Sequence, residues 1–350
     1  MKIKAFFSVV KTGAICFLIF VCHNLTAQKI SGKVFRNSSD STIAGASVYY
    51  SGSVIGTTTD ENGEFELDGK QQQIPIVISC VGYYTSVVKS VPGKSLMVFL
   101  KPKVHELHEV VVYSPTQNRE KAIEIFTREF LGTSKYAKKC LIKNLDDVRF
   151  YYSKKTGTLS AVCDSPLIIE NKALGYRLKY FLDRFEASAT GVSFIGNYIF
   201  TDNADASQLS RIKRSREAVY ADSRMYFIRS LWARKTNDSE FFIYTRAYKR
   251  LNEDSILIED SNRQKFISFK NKIIIESVSD DKIMTTVIKL NSDSSFINNA
   301  GFYDTGITWE GFLAKQRVGD MLPAEYWSKK DRNLFVKPKN EGKKVPVKER

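Results

Sequence analysis

Apolar and polar residues alternate along most of residues 28–102. Ile30 and Val34 begin the pattern; Ala46, Val48 and Tyr50 continue it, then Phe65 with Leu67, Ile74 to Cys80, Thr85 with Val87, and Leu96, Val98 and Leu100. A period of two puts one face of each strand in a core and the other in water. The runs recur roughly every ten residues, with Gly32, Gly45, Gly52, Gly63, Gly82 and Gly93 between or inside them. That rhythm predicts a seven-stranded β-sandwich. Asn62-Gly63, within Thr59-Asp60-Glu61-Asn62-Gly63-Glu64-Phe65, predicts a tight hairpin turn whose backbone Asp60 bonds. A calcium loop also begins Asp-x-Asn-Gly, but it needs a closing glutamate at the twelfth position, where this chain has Gln71. The turn reading is the better one.

From Ser114 the period lengthens. Ser114 as cap, Pro115 at the first helical position and Gln117 at the third predict a helix. Its apolar face is Ala122, Ile123, Phe126 and Phe130, and Gly132 ends it. Strands are expected at Val148–Tyr152, Thr158–Cys163, Leu174–Ala187 and Val192–Thr201, the third with Leu174, Tyr176, Leu178, Tyr180 and Leu182 on one face. A second helix is expected from Gln208 to Ala233, with Ala221, Met225, Ile228 and Trp232 as its stripe. Further strands follow at Phe241–Ala247, Ser255–Ile258, Lys265–Phe269, Ile273–Ser277 and Met284–Leu290. The fold class expected is mainly β with a few helices: an N-terminal sandwich, then an α+β domain rich in antiparallel strands. Its divisions are a leader (1–27), the sandwich (28–102), a linker (103–113), the second domain (114–327) and a basic, disordered tail (328–350).

The leader has a basic start from Met1 to Lys11, an apolar run from Ala14 to Cys22, and Leu25-Thr26-Ala27 before Gln28. This reads as a signal peptide, hence as export. Lipidation at Cys22 is disfavoured because Val21 is not a small residue. Beyond the leader no stretch approaches the roughly 20 apolar residues of a spanning helix. The chain is also too short to hold a many-stranded transporter barrel beside these domains.

Charge sharpens this only locally. The formal net of +15 includes Lys2, Lys4 and Lys11 in the leader, and the tail holds nine basic residues against three acidic ones. That leaves +6 for residues 28–327. The tail reads as solvated chain, or as a contact for anionic lipid, polysaccharide or a partner. No nucleic-acid motif is present. Cys80, Cys140 and Cys163 follow the leader, too few and too scattered for a disulfide framework. Cys80 continues the strand set Ile74, Ile76, Ile78 as a small hydrophobe, and Cys140 with Cys163 is one optional pair.

Four segments of the first domain carry a family resemblance. They are Ile30-Ser31-Gly32-Lys33-Val34, Ile43-Ala44-Gly45-Ala46-Ser47-Val48, Gly56-Thr57-Thr58-Thr59-Asp60 with Gly63 and Phe65, and Ser79-Cys80-Val81-Gly82-Tyr83. Together they resemble the carboxypeptidase-like regulatory domain, a prealbumin-like seven-stranded sandwich. The resemblance implies a binding or docking module, since such domains flank some zinc carboxypeptidases and precede many TonB-dependent outer-membrane receptors. Leu107-His108-Glu109-Val110-Val111-Val112 resembles the segment before a receptor's plug, but no plug or barrel follows. The second domain resembles the companion domain of gram-negative envelope proteins that carry the same sandwich. The residues concerned are Pro166 to Phe185, Ser223 to Leu231, Gly306 to Phe312 and Leu322 to Tyr326. That family brings no established reaction with it.

Candidate chemistry is sparse. Only His105 and His108 follow the leader, so a zinc carboxypeptidase site lacks its ligands. Asp183 with Glu186 and Glu310 with Asp320 are scattered carboxylates. No nucleophile elbow, phosphate loop, His-Glu-x-x-His or Cys-x-x-Cys occurs. Candidate ligand contacts are Arg211, Lys213, Arg214 and Arg216 for an anionic sugar or lipid head group, and Tyr176 and Tyr180 as stacking platforms. For both groups the plainer reading is a solvated helix face and a strand core. The expectation is a non-catalytic exported protein without cofactor or metal, in the periplasm or at the outer membrane of a gram-negative cell, docking to an envelope protein. The alternatives are a glycan-binding accessory protein in nutrient uptake, and a hydrolase with an unfamiliar site.

Overall fold

The structure, a computed structural model, describes residues 29–37, 39, 41–69, 74–89, 95–103 and 117–335. The leader, the His105–His108 segment, Ser114 with Pro115, and the tail past Phe335 lie outside the described residues. The chain divides into two compact units, with Ser51–Val54 grouped with the second. Each unit is treated separately here.

The first unit holds β1 (Lys29–Arg36), β2 (Ser47–Tyr50), β3 (Gly56–Thr58), β4 (Glu64–Asp68), β5 (Ile76–Ser79), β6 (Ser86–Val88) and β7 (Leu96–Leu100). They form a three-stranded sheet, β4-β1-β7, and a four-stranded sheet, β3-β2-β5-β6. This is the expected sandwich. Ile30, Val34, Val48, Phe65, Leu67, Ile76, Ile78, Val98 and Leu100 are buried, as the alternation requires. β1 pairs β7 in parallel and β4 antiparallel. Gly32 lies opposite Phe65 on the inner face, and a Cβ there would come within 2.6 Å of the Phe65 ring and 2.5 Å of the Leu96 carbonyl. The missing side chain is filled by the aromatic ring across the strand.

The Asn62-Gly63 turn forms with Gly63 at φ +74. Asp60 accepts hydrogen bonds from the amides of Asn62 (2.9 Å) and Glu64 (2.8 Å) through one oxygen. The predicted hairpin is nevertheless wrong. β3 and β4 belong to different sheets, so this turn is the corner by which the chain crosses the sandwich. Buried Thr59 holds the corner: it accepts from the Ala46 amide and donates to the Ile43 carbonyl. Cys80 is likewise not a strand-core residue; it lies just past β5 and is partly exposed.

The second unit begins with α1 (Gln117–Leu131), then β8 (Cys140–Ile142), β9 (Arg149–Ser153), β10 (Thr158–Val162), β11 (Leu167–Asn171), β12 (Tyr176–Ser188) and β13 (Gly191–Asp202). β12 takes β13 along one edge for its whole length. On the other edge it takes β11 along its first half and β10 along its second. A bulge at Asp183 marks the change of partner. The extra residue moves the inward set from Tyr176, Leu178, Tyr180 and Leu182 to Phe185 and Ala187, all buried. α1 lies on this sheet, its Phe126 and Phe130 packed edge-on against Phe150, Phe185, Tyr180 and Phe194.

The single helix expected from Gln208 to Ala233 is two helices, α2 (Leu209–Ala221) and α3 (Arg224–Trp232). Ser223 breaks it. Its hydroxyl accepts from the Tyr226 amide and caps α3 while donating to the Tyr220 carbonyl. The rest comprises β14 (Phe241–Thr245), β15 (Arg250–Leu251), β16 (Leu257–Glu259), β17 (Lys265–Ile267), β18 (Ile273–Ser279), β19 (Lys282–Leu290), β20 (Ser295–Ile297), β21 (Ile307–Gly311) and α4 (Lys329–Phe335). They give a five-stranded sheet, β15-β14-β18-β19-β21, and a small one, β16-β17-β20. α4 corrects the expected tail: from Ser328 to Phe335 the chain is ordered, with Ser328, Asp331 and Leu334 buried.

Candidate interaction surface

The residues singled out from sequence separate into two groups. Arg211, Lys213 and Arg214 are exposed on α2. Arg216 is not on their face. It is buried, donates to the carbonyls of Leu174 and Gly175, pairs with Asp202 at 3.2 Å, and lies 3.8 Å over the Tyr176 ring. Tyr176 and Tyr180 are 4% and 2% exposed, so neither can serve as a stacking platform for a ligand. Burial pushes the Tyr176 hydroxyl up to about 12. Arg216 and Tyr176 hold α2 to the start of β12, while Tyr180 packs edge-on against Phe130 of α1 and stacks on Tyr198 of β13.

A larger buried cluster surrounds α3. Arg229 is 1% exposed and pairs at 3.0 Å with Asp331 of α4, itself 0% exposed. It also donates to the carbonyls of Tyr326, Ala300 and Ala324, while its Nε has no partner among the described residues. The Tyr220 hydroxyl donates to the other oxygen of Asp331, and the Ser328 amide to the oxygen that Arg229 holds. Arg224 donates to the carbonyls of Leu313, Ala314 and Gln316 and to the Tyr303 hydroxyl, with its guanidinium over the Trp309 ring. These arginines are tied to backbone. Glu217 is engaged likewise, accepting from Tyr326 and Ser328. Asp320 accepts from Ser134, and burial holds its carboxyl above the ordinary range.

Cys140 and Cys163 are free thiols, not a disulfide. Burial, with Asp320 nearby, pushes Cys140 up to about 12; burial also raises Cys163. Neither is a thiolate near neutrality. Among the described residues no three His, Cys, Asp or Glu side chains converge as a metal cluster.

The open chemistry of the first unit is on the outer face of β4-β1-β7. Phe35 and Phe99 stack there with ring centroids 5.2 Å apart, and Phe99 is half exposed. Met97 beside them is 66% exposed. Two cross-strand ion pairs border the apolar strip, Lys33–Glu64 at 3.1 Å and Lys29–Glu66 at 2.6 Å. A shallow groove of about 660 Å³ runs along this side, lined in part by Lys33, Phe35, Glu64, Glu66 and Met97. An apolar centre with a charged rim is the composition of a protein-binding surface. Sequence reading passed over it, because Phe35, Met97 and Phe99 occupy the outward positions of otherwise regular alternation. Large apolar residues in that phase were the available signal.

Comparisons with known proteins bear on this unit. The sequence profile of the CarboxypepD_reg-like domain matches residues 30–112. A 96-residue stretch is 36% identical to the TonB-dependent receptor SusC of Bacteroides thetaiotaomicron, covering 27% of this chain and 9% of the receptor. This chain thus corresponds to a small part of that relative's length. A solved Bacteroides fragilis chain, described as membrane-associated and of unknown function, aligns over 81% of this chain and 94% of its own. Its identity is 12% and its TM-score 0.17, too low to carry an argument. The seven strands of the first unit and the profile agree: residues 30–112 match the CarboxypepD_reg-like domain.

Proposed function

We propose that this chain is an exported, non-catalytic envelope protein whose sandwich docks onto an outer-membrane protein of a gram-negative cell. The contact surface in this reading is the outer face of β4-β1-β7. One observation carries it: a domain similar to part of a TonB-dependent receptor presents Met97 and Phe99, with half-buried Phe35, to solvent beside two ion pairs that join β1 to β4. Exposed aromatic and methionine side chains supply most of the energy at such surfaces, while the charged rim sets orientation. A non-catalytic role accords with the second unit, where Glu217, Asp320 and Asp331 each serve a neighbouring hydroxyl or guanidinium. The test is fractionation of cells expressing the tagged chain with Met97→Asp and Phe99→Asp together. Both side chains point outward, so the fold should survive. The reading expects the wild type to travel with outer-membrane protein complexes and the double variant to be released. Equal retention of both would refute it.

A further inference from the structure

The hairpin joining β14 to β15 gathers three aromatic and three cationic side chains. Tyr248 is 61% exposed and sits in the left-handed backbone region at φ +55. That conformation is uncommon for a bulky residue and is set here by the turn, in which the Tyr248 amide donates to the Thr245 carbonyl. Its ring packs against Tyr244, with centroids 5.9 Å apart. The Arg250 guanidinium lies 4.5 Å from the Phe242 ring centre and 5.1 Å from that of Tyr244. It donates to the Tyr244 hydroxyl at 2.9 Å and to Asn237, which leaves the remaining N–H groups of its fork without an acceptor among the described residues. Arg246 and Lys249 flank the turn, both exposed. Among the described residues no carboxylate pairs with any of the three cations. Glu276, across from Phe242, and Asp238, next to the Asn237 that Arg250 bonds, make no ion pair with Arg250.

We propose that this hairpin is a binding site for an acidic saccharide, a sugar ring bearing carboxylate or sulfate. The exposed face of Tyr248 would stack on the ring's C–H surface, and the free N–H groups of Arg250, with Arg246 and Lys249, would take the anion. Preorganisation supports a discrete ligand: backbone and Tyr244 fix Tyr248, and two rings with two hydrogen bonds fix Arg250. A membrane surface fits less well, since beside Tyr248 the turn carries Arg246, Ala247 and Lys249 and no large aliphatic side chain for insertion. The site is independent of the sandwich and of its proposed docking role.

Calorimetry on the purified full chain tests it, with tri-galacturonate, a hyaluronan tetrasaccharide and a heparin tetrasaccharide as probes and galactotriose as the neutral control. At least one acidic probe should bind about tenfold or more tightly than galactotriose, as a hydrogen-bonded charge requires. Tyr248→Asn and Arg250→Gln should each weaken that binding by about tenfold. Tyr248→Asn should not lower the melting temperature, because asparagine adopts the left-handed region readily. Binding of none of the acidic probes, equal binding of the neutral one, or full affinity in Tyr248→Asn would overturn the proposal. So would loss on Tyr248→Asn of binding to phosphatidylglycerol vesicles when no saccharide binds, which would assign the hairpin to a membrane surface.

Discussion

Arg229 and Asp331 show what a single buried charge demands of its surroundings. Both are desolvated, and three carbonyls, a tyrosine hydroxyl and a backbone amide add to their mutual pairing, leaving only Arg229 Nε of the guanidinium without a partner among the described residues. Asp331→Ala would leave the guanidinium buried without a counter-charge, and should cost about 3–5 kcal/mol of stability in urea unfolding. Tyr220→Phe removes the bond donated to Asp331 and the long one, 3.4 Å, accepted from Arg229, and should cost about 1.5–3 kcal/mol. The thiols give a second residue-scale test. Iodoacetamide at about pH 8.5, where an ordinary thiol is half ionised, should label Cys140 and Cys163 far more slowly in the native chain than in urea. Rapid native labelling of buried Cys163 or half-buried Cys140 would contradict the shielding of their thiols. Sequence could name Arg229 within Ser223–Leu231, but its acceptors lie far along the chain, at Ala300, Ala324 and Tyr326. The same limit applies to Arg216, Tyr176 and Tyr180, whose types suit a ligand site and whose packing makes them frame.

At the level of elements, two turns of one pattern invite comparison. Asp60-Glu61-Asn62-Gly63-Glu64 and Asp260-Ser261-Asn262-Arg263-Gln264 share their bonding: the aspartate oxygen accepts from the amides two and four residues on. The fourth residue is left-handed in each, Gly63 at φ +74 and Arg263 at φ +60. Arg263→Gly should therefore stabilise the protein by up to about 1 kcal/mol. Gly63→Ala should destabilise by about 1–3 kcal/mol, since the new Cβ would also meet the Thr42 Cβ and the Val34 carbonyl, each at 2.8 Å. Thermal melts of both variants check the pair of signs. Local chemistry made the Asp60 turn legible, while the sheets it joins depend on distant pairing; so that turn was foreseen and its sheet-crossing role was not, and the Asp260 turn was not read at all. Ser223 is the converse case. Its capping signal was present in Ala221-Asp222-Ser223-Arg224, but the apolar stripe continuing through it masked the break.

For the molecule as a whole, alternation in residues 28–102 was enough to read the sandwich, because β1, β4 and β7 each keep one wet face and one dry, although β2 and β5 are buried on both. The second unit was read less fully. β8, β11, β20 and β21 are short or lie amid loops, and their pairing partners rather than their composition make them strands. The proposed docking surface is a whole-molecule property in the same sense. Phe35 of β1 and Met97 and Phe99 of β7 meet only because β1 and β7 pair in parallel. The central claim is that this face engages an envelope protein. It is tested most directly by placing a photo-crosslinking amino acid at position 99 in intact cells, with Glu61 of the exposed corner as control position. Docking predicts one dominant outer-membrane adduct from position 99, absent from position 61 and lost with Met97→Asp. No adduct, or the same adducts from both positions, would contradict it.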